Sequence, residues 1–192
     1  MAKAFKGSQT EKNLLASFAG ESQARNRYTY FAGAARKEGY VQIANIFTET
    51  AENEKEHAKV FFKHLQGGDV EITAGYPAGM IGTTKENLEA AAAGEQMEWT
   101  TLYADFAKIA KAEGFPEAAA SFNHIAKVEK FHEARYRKLI ENMAKKQVFK
   151  RDVPVKWHCI NCGYIFEGTK APKECPACQH PQCYYEILAE NF

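Results

Sequence analysis

Two Glu-x-x-His motifs are the residues of this chain whose types and spacing best suit chemistry. One runs from Glu54 to His57 and the other from Glu129 to His132. On a helix, residues three apart lie on one face, one turn apart, so each motif would present a carboxylate beside an imidazole. Oxygen and nitrogen ligands together suit iron or manganese, and suit zinc less well. We therefore interpret the two motifs, facing each other, as ligands of a pair of iron ions.

Apolar residues at helical spacing predict four helices that would position these motifs. We expect them at residues 9–37, 41–66, 83–113 and 116–146. On their inward stripes lie Glu21, then Glu54 and His57, then Glu95 and Glu98, and finally Glu129 and His132. The connection 67–82 has no helical period and is long, which in a four-helix bundle indicates a crossover along the bundle. Thr83 and Glu86 predict a capping box that opens the third helix.

An internal repeat relates the two halves of the helical region. Glu38-Gly39-Tyr40 precedes Glu54 by the same interval at which Glu113-Gly114-Phe115 precedes Glu129. Glu21 of the first helix precedes Glu54, and Glu95 of the third helix precedes Glu129, at intervals that differ by only one position. One pair of helices used twice is most simply related by a two-fold axis. Such an axis would bring the two Glu-x-x-His motifs face to face.

Five glutamates on inward stripes would cost several kcal/mol each without a counter-charge. Solvated glutamates on wrongly assigned stripes are the alternative, but the repeat and the two histidines favour a metal site. The pattern is that of ferritin-like carboxylate proteins, in which two helices give one Glu each and two give Glu-x-x-His. It predicts a mainly α fold, a ferritin-like four-helix bundle with a long crossover, in which Glu98 is an additional ligand.

Charge balance indicates what the additional carboxylate does. Two ferrous ions carry four positive charges, which four carboxylates balance when both histidines are neutral. An oxidised pair is more Lewis-acidic and favours a fifth anionic ligand. Our hypothesis is that Glu98 binds the oxidised pair and His57 the reduced pair.

Two tyrosines are candidate supports for the ligands. Tyr28 follows Glu21 by about two helical turns, and Tyr103 follows Glu95 at a similar interval. Each would donate a hydrogen bond to a ligand carboxylate, although packed tyrosines without a role are the alternative. We group both tyrosines with Glu98 and His57 as candidate catalytic residues.

The five cysteines all lie near the end of the chain, from Cys159 to Cys183. Four of them form two Cys-x-x-Cys pairs, Cys159 with Cys162 and Cys175 with Cys178, which predict a four-thiolate metal site rather than a disulfide framework. Zinc, in a structural ribbon, is the commoner occupant on spacing alone. Gly163-Tyr164 after the first pair and Pro176 inside the second resemble rubredoxin, which favours a single iron. Cys183 lies outside this spacing, and its role stays open.

Composition excludes several classes of protein. Lys and Arg number 25 against 24 Asp and Glu, a net charge of +1, so nothing indicates nucleic acid or a membrane surface as a partner. The first residues lack the apolar region of a signal peptide, and no stretch is apolar enough to span a membrane. We expect a cytoplasmic protein in three parts: a bundle at 1–146, a linker at 147–156 and a rubredoxin-like domain at 157–192.

The combination of bundle and cysteine pairs resembles the rubrerythrin family. The resemblance runs from "KGSQTEKNLLASFAGESQARNRYTYF" to "CPACQHP" and covers nearly the whole chain. By position it implies that the ligands of the di-iron site are Glu21, Glu54, Glu95, Glu129 and His132, and that Glu54 and Glu129 bridge the two irons. It implies that Glu98 and His57 exchange as ligands when the redox state changes. The four paired cysteines would bind a mononuclear iron. It also implies a homodimer, in which the mononuclear iron of one subunit serves the di-iron site of the other.

The resemblance implies a peroxidase that reduces hydrogen peroxide to water. Electrons would come one at a time from the four-thiolate iron and ultimately from an external donor, a rubredoxin or an NADH-dependent reductase. No Gly-x-Gly-x-x-Gly follows a predicted strand, so the chain is not expected to bind a nicotinamide cofactor itself. A ferroxidase or iron-storage protein is one alternative, and a zinc-ribbon binding module is another.

Overall fold

The computed structural model describes residues 4–191 as a helical bundle followed by a small sheet. The helices are α1 (Gln9–Lys37), α2 (Val41–Lys63), α3 (Thr84–Met97), α4 (Tyr103–Glu113) and α5 (Pro116–Ala144), with a π-helical turn at Glu98–Leu102 between α3 and α4. The strands are β1 (Lys150–Cys159), β2 (Ile165–Lys170) and β3 (Tyr185–Ile187). The expected mainly α fold, with a long connection between α2 and α3 and a small tail after the bundle, is therefore confirmed.

The third predicted helix is interrupted, which the sequence pattern did not anticipate. Residues 83–113 were expected as one helix, but the π turn divides them into α3 and α4. A π turn inserts one extra residue into the helical ladder and is frequent at functional sites. It begins at Glu98, so the interruption lies at a candidate ligand. The second helix also ends at Lys63, slightly before the expected end at Gln66.

The internal repeat is visible as two equivalent helix caps. Glu38, after α1, accepts hydrogen bonds from the backbone N–H of Thr84 at 3.1 and 3.2 Å. Glu113, at the end of α4, accepts from the N–H of Thr10 at 2.8 Å and from its hydroxyl at 2.8 Å. Each carboxylate thus satisfies a free N–H at the start of a helix in the other half of the bundle. The same kind of hydrogen bond therefore links the two helix pairs at two equivalent positions.

Two apolar clusters fill the bundle and leave its middle to polar groups. One cluster surrounds Phe47 and Tyr136, and the other surrounds Phe61 and Phe122. Along each of the helices α1, α2 and α5, the chain passes from one cluster to the other through the inward glutamates and histidines. The clusters therefore seal the polar centre from both ends of the bundle.

The tail is a three-stranded antiparallel sheet in the order β2-β1-β3. Trp157 is fully buried in its core and donates through Nε1 to the carbonyl of Gly168 at 2.9 Å. Most of the stretch expected as a linker, 147–156, lies within β1. The tail touches the bundle where the ring of Phe149 stacks on Tyr40, with centroids 6.2 Å apart.

The two equivalent caps give a graded stability prediction. Glu113 is buried and Glu38 is exposed, so Glu113→Ala should lower the free energy of unfolding by about 2 kcal/mol and Glu38→Ala by about 1 kcal/mol. Urea unfolding followed by circular dichroism measures both. The exposed Glu89→Ala on α3 is the control and should change stability by less than about 0.5 kcal/mol. Equal losses in all three variants would contradict the capping role.

Candidate metal centres

The inward glutamates and histidines converge into one buried cluster at the middle of the bundle. Their ligand atoms fall into two groups, and within each group the atoms lie within 4.8 Å of one another. One group contains Glu21, Glu54, His57 and Glu129, and the other contains Glu54, Glu95, Glu129 and His132. The two groups share Glu54 and Glu129. This arrangement suits two neighbouring metal ions with two carboxylates common to both.

The shared carboxylates each divide their two oxygens between the two histidines. Glu54 places Oε2 at 2.9 Å from Nδ1 of His57 and Oε1 at 3.3 Å from Nδ1 of His132. Glu129 places Oε1 at 2.9 Å from His57 and Oε2 at 2.8 Å from His132. The histidine rings lie 6.0 Å apart. Each shared carboxylate therefore spans from one ligand group to the other, as a bridging ligand must.

Unsatisfied atoms provide the test of whether metal ions fit here. Among the described residues, buried atoms without a hydrogen bond include Oε1 of Glu54, Oε2 of Glu95, both oxygens of Glu129 and Nδ1 of His132. Buried polar atoms are normally paired, and each exception requires an explanation. Because these atoms face one another, cations between them would satisfy all of them together. The residues present therefore fit a pair of metal ions.

The pKa shifts report the same excess of negative charge. Burial raises the pKa of Glu95 to about 8, and burial together with neighbouring carboxylates raises that of Glu21 well above its usual value. Burial opposes a charge on His57, yet the carboxylates of Glu129 and Glu54, each 2.9 Å from its Nδ1, raise its pKa to about 9. Carboxylates that hold protons and imidazoles that gain them indicate a site short of positive charge. Divalent cations would supply that charge and displace those protons.

The two tyrosines contact the carboxylates that the groups do not share. Tyr28 on α1 donates through its hydroxyl to Oε1 of Glu95 at 2.6 Å. Tyr103 on α4 donates to Oε1 of Glu21. Each tyrosine thus crosses to the glutamate of the opposite helix pair, so the two-fold relation extends to the hydrogen bonds around the ligand groups.

Glu98 lies beside the cluster and outside both ligand groups. Its side chain is partly exposed, and burial with the neighbouring carboxylates Glu95 and Glu129 raises its pKa well above the usual value. His57 occupies the ligand group next to Glu21 instead. Of the two residues that the sequence suggested would exchange, the structure places His57 in the cluster and Glu98 next to it.

Asn53 is a residue that the sequence analysis missed. Its Oδ1 lies 3.2 Å from Nε2 of His132, so the amide oxygen can accept the ring N–H and leave Nδ1 directed at the carboxylates. Such a second partner fixes the orientation of a histidine ligand. Asn53 precedes Glu54 and has no periodic signature of its own, because its partner lies on a different helix, far along the chain.

The four paired cysteines form a separate cluster in the tail. The Sγ atoms of Cys159 and Cys178 are 3.8 Å apart and those of Cys162 and Cys175 are 3.6 Å apart. A tetrahedron with metal–sulfur bonds of about 2.3 Å has edges of about 3.8 Å, whereas a disulfide bond is about 2.05 Å long. The spacing therefore fits a four-thiolate metal site.

The two cysteine pairs have the same backbone geometry. The N–H of Gly163 donates to the carbonyl of Cys159 at 2.8 Å, and the N–H of Gln179 donates to Cys175 at 2.8 Å. Gly163 and Gln179 both have positive φ, +82° and +61°. Cys183 is outside this cluster, and its Cβ would lie 3.7 Å from a methyl group placed on Gly39 of the bundle. Cys183 therefore lies where the tail approaches the bundle.

The contact between Asn53 and His132 gives a prediction about metal binding. Asn53→Ala removes the acceptor that orients the ring, so we expect the affinity for Fe(II) at one of the two positions to fall about tenfold to a hundredfold. Anaerobic calorimetric titration of the metal-free protein measures both positions. Asn45→Ala, an exposed change on the same helix, is the matched control and should titrate like the unmodified protein. Identical titrations for both variants would rule out the orienting role.

Comparison with known proteins agrees with this geometry. The family described as rubrerythrin matches residues 12–140, and its rubredoxin-like domain matches residues 157–186. Rubrerythrin of Porphyromonas gingivalis is 59% identical, and the alignment covers 100% of this chain and 96% of that protein. Rubrerythrin of Nitratidesulfovibrio vulgaris is 55% identical, and the alignment covers 99% of this chain and 100% of that protein. A fully reduced, all-ferrous nigerythrin structure aligns with a TM-score of 0.64 and 31% identity over 97% of this chain and 90% of that one.

These matches bear on the cofactors as well as on the fold. With the two ligand groups and the four-cysteine cluster, they confirm the expected di-iron site and the rubredoxin-like site, and they make the chain an iron-dependent oxidoreductase. Among the helices described, none has an apolar stretch that would cross a bilayer. The chain belongs to the rubrerythrin family.

Proposed function

We propose that this protein is a non-haem di-iron peroxidase that reduces hydrogen peroxide to water in defence against oxidative stress. The observation that carries the proposal is the sharing of Glu54 and Glu129 by both ligand groups. Two adjacent metal positions suit a substrate whose two oxygen atoms must be reduced together. A buried pair of iron ions would supply the two electrons and the Lewis acidity that cleavage of the O–O bond requires.

We propose the ligand set that the sequence and the geometry share. Glu21, Glu54, Glu95, Glu129 and His132 would hold the two irons together with His57, and Cys159, Cys162, Cys175 and Cys178 would hold the third iron. Glu98 is the carboxylate that would replace His57 on an oxidised pair. It lies next to the cluster on the π turn, where the backbone already departs from regular helix, so its side chain can approach without unwinding α3.

The side chains around the ligands have distinct tasks in this proposal. Tyr28 and Tyr103 hold the carboxylates of Glu95 and Glu21 in place through their hydroxyl groups. The two apolar clusters exclude bulk water from the ends of the site, which strengthens electrostatic interactions inside it. The protein thus fixes the positions of charge before the substrate arrives.

The rubredoxin-like domain would return electrons to the bundle. We propose that its donor is external, a rubredoxin or an NADH-dependent reductase, and that the working form is a homodimer in which each tail serves the partner's bundle. Hydrogen peroxide is the proposed oxidant. The division into bundle 1–146, linker 147–156 and tail 157–192 stays part of this proposal.

A single-turnover experiment tests the function. The protein is reduced without oxygen and mixed with one equivalent of hydrogen peroxide, and the visible absorption of the four-thiolate iron is followed. Prompt reoxidation of that iron, much faster than with oxygen, is expected. Cys162→Ser should abolish the signal and lower steady-state turnover more than a hundredfold, because the electron supply is lost.

The matched control changes the cysteine outside the cluster. Cys183→Ser should leave the single-turnover signal intact, since Cys183 binds no part of the four-sulfur group. If the bundle irons oxidise while the four-thiolate iron stays reduced, the two sites are not coupled as proposed. Ferroxidase or iron-storage activity would then be the better description, and assembly into a cage in solution would support it.

The role of Glu98 gives a separate prediction. Glu98→Gln removes an anionic ligand that favours the oxidised pair, so the reduction potential of the bundle irons should rise by at least about 60 mV, a tenfold change for one electron. Anaerobic redox titration followed by absorption measures this shift. Glu89→Gln, an exposed change on α3, should leave the potential unchanged. A potential that is the same in both variants would exclude Glu98 from the oxidised state.

A further inference from the structure

A cavity of about 310 Å³ lies between the crossover and the di-iron site. The crossover residues 73–77 form one wall, and α1 and α3 form the others through Gly20 and Gly94. Glu98 and Tyr103 also line it. The cavity therefore reaches Glu98, a proposed ligand of the oxidised pair, and Tyr103, which bonds directly to the proposed ligand Glu21.

The cavity is much larger than hydrogen peroxide requires. At about 30 Å³ for each liquid water, its volume corresponds to roughly ten waters, whereas hydrogen peroxide has only two heavy atoms. Cavities of at least about 300 Å³ with mostly apolar walls and a few polar groups are typical of sites for small organic molecules. Size alone thus indicates room for an organic group beside the peroxide.

The residues that line the cavity also give it a mostly apolar wall. Ala16, Ala74, Pro77, Leu102 and Phe106 give it a largely apolar surface. Seven of the sixteen described lining residues are polar, but they contribute the smaller part of the wall's surface: Ser17, Gln23, Arg27, Thr73, Tyr76, Glu98 and Tyr103. An apolar group can be buried against this wall while a polar head lies at Glu98 and Tyr103.

Tyr76 fastens the crossover over this space. Its hydroxyl donates to the carbonyl of Ala16 at 3.2 Å, and its ring would lie 3.7 Å from a methyl group on Gly20. The residue is 38% exposed, so one side of the ring faces solvent. The crossover, which the sequence identified only as a long connection, therefore helps to enclose the space above the site.

We infer that this cavity binds the organic group of a small organic hydroperoxide, so that the chain reduces such hydroperoxides as well as hydrogen peroxide. This inference rests on the proposed peroxidase function. The reaction is ROOH + 2e⁻ + 2H⁺ → ROH + H₂O: the O–O bond breaks, the external donor supplies both electrons through the protein, and solvent supplies both protons. The alcohol that forms keeps the organic group in the cavity until it is released.

Cavity-filling variants test the choice of substrate. Ala74→Leu on the crossover and Ala16→Leu on α1 each add three carbon atoms to the wall. Both should lower kcat/KM for cumene hydroperoxide at least tenfold more than kcat/KM for hydrogen peroxide. Ala78→Leu lies on the same crossover but does not line the cavity, and it should leave the ratio within twofold of the unmodified protein. A ratio that is the same in all four proteins would overturn the inference.

A binding measurement separates this inference from the proposed function. Equilibrium dialysis of cumyl alcohol against the oxidised, iron-loaded protein involves no turnover. The unmodified protein and Ala78→Leu should bind one alcohol per chain, and both cavity variants should bind it at least tenfold more weakly. Equal binding by all variants, or none, overturns the cavity assignment even if hydrogen peroxide is reduced. If the unmodified protein binds the alcohol and the cavity variants do not, but the protein reduces no peroxide, the cavity assignment is supported and the proposed peroxidase function is refuted.

Discussion

Repulsion between buried carboxylates is the constraint on which the rest of this structure depends. Glu21, Glu54, Glu95 and Glu129 are at most 1% exposed, and Glu98 lies against them. Such a group is stable only when bound protons or cations compensate its negative charge. The histidines, the tyrosine hydroxyls and the surrounding helices are arranged so that two cations can provide that charge.

The apolar parts of the bundle follow from this constraint. Each cluster of aromatic and aliphatic side chains lies at one end of the polar centre, around Phe47 or Phe122. Among the described residues the two clusters do not meet across the centre, so the helices must be held together at the carboxylates as well as by apolar contacts. A bundle of this kind couples its stability to its metal content, because ligands that bind no cation repel one another.

Much of the fold and of the site could be predicted from the sequence because helical periodicity links spacing to position. The short interval between Glu54 and His57 places both on one face whatever the rest of the chain does. The π turn at Glu98 could not be predicted in this way, since one inserted residue leaves no periodic signal of its own. Asn53 was missed for a related reason: its partner His132 is distant in sequence, and only the folded chain brings the two together.

The equivalent caps have a consequence for how this architecture can arise. The carboxylate of Glu38 reaches Thr84 in the other half, and that of Glu113 reaches Thr10. The first helical hairpin alone therefore carries a donor, the N–H of Thr10, and an acceptor, the carboxylate of Glu38, that lie at opposite ends of α1 and cannot bond to each other. Two identical hairpins would satisfy each other in a closed pair with four equivalent helices. This chain has, within one polypeptide, the hydrogen bonds that such a closed pair would form between two chains.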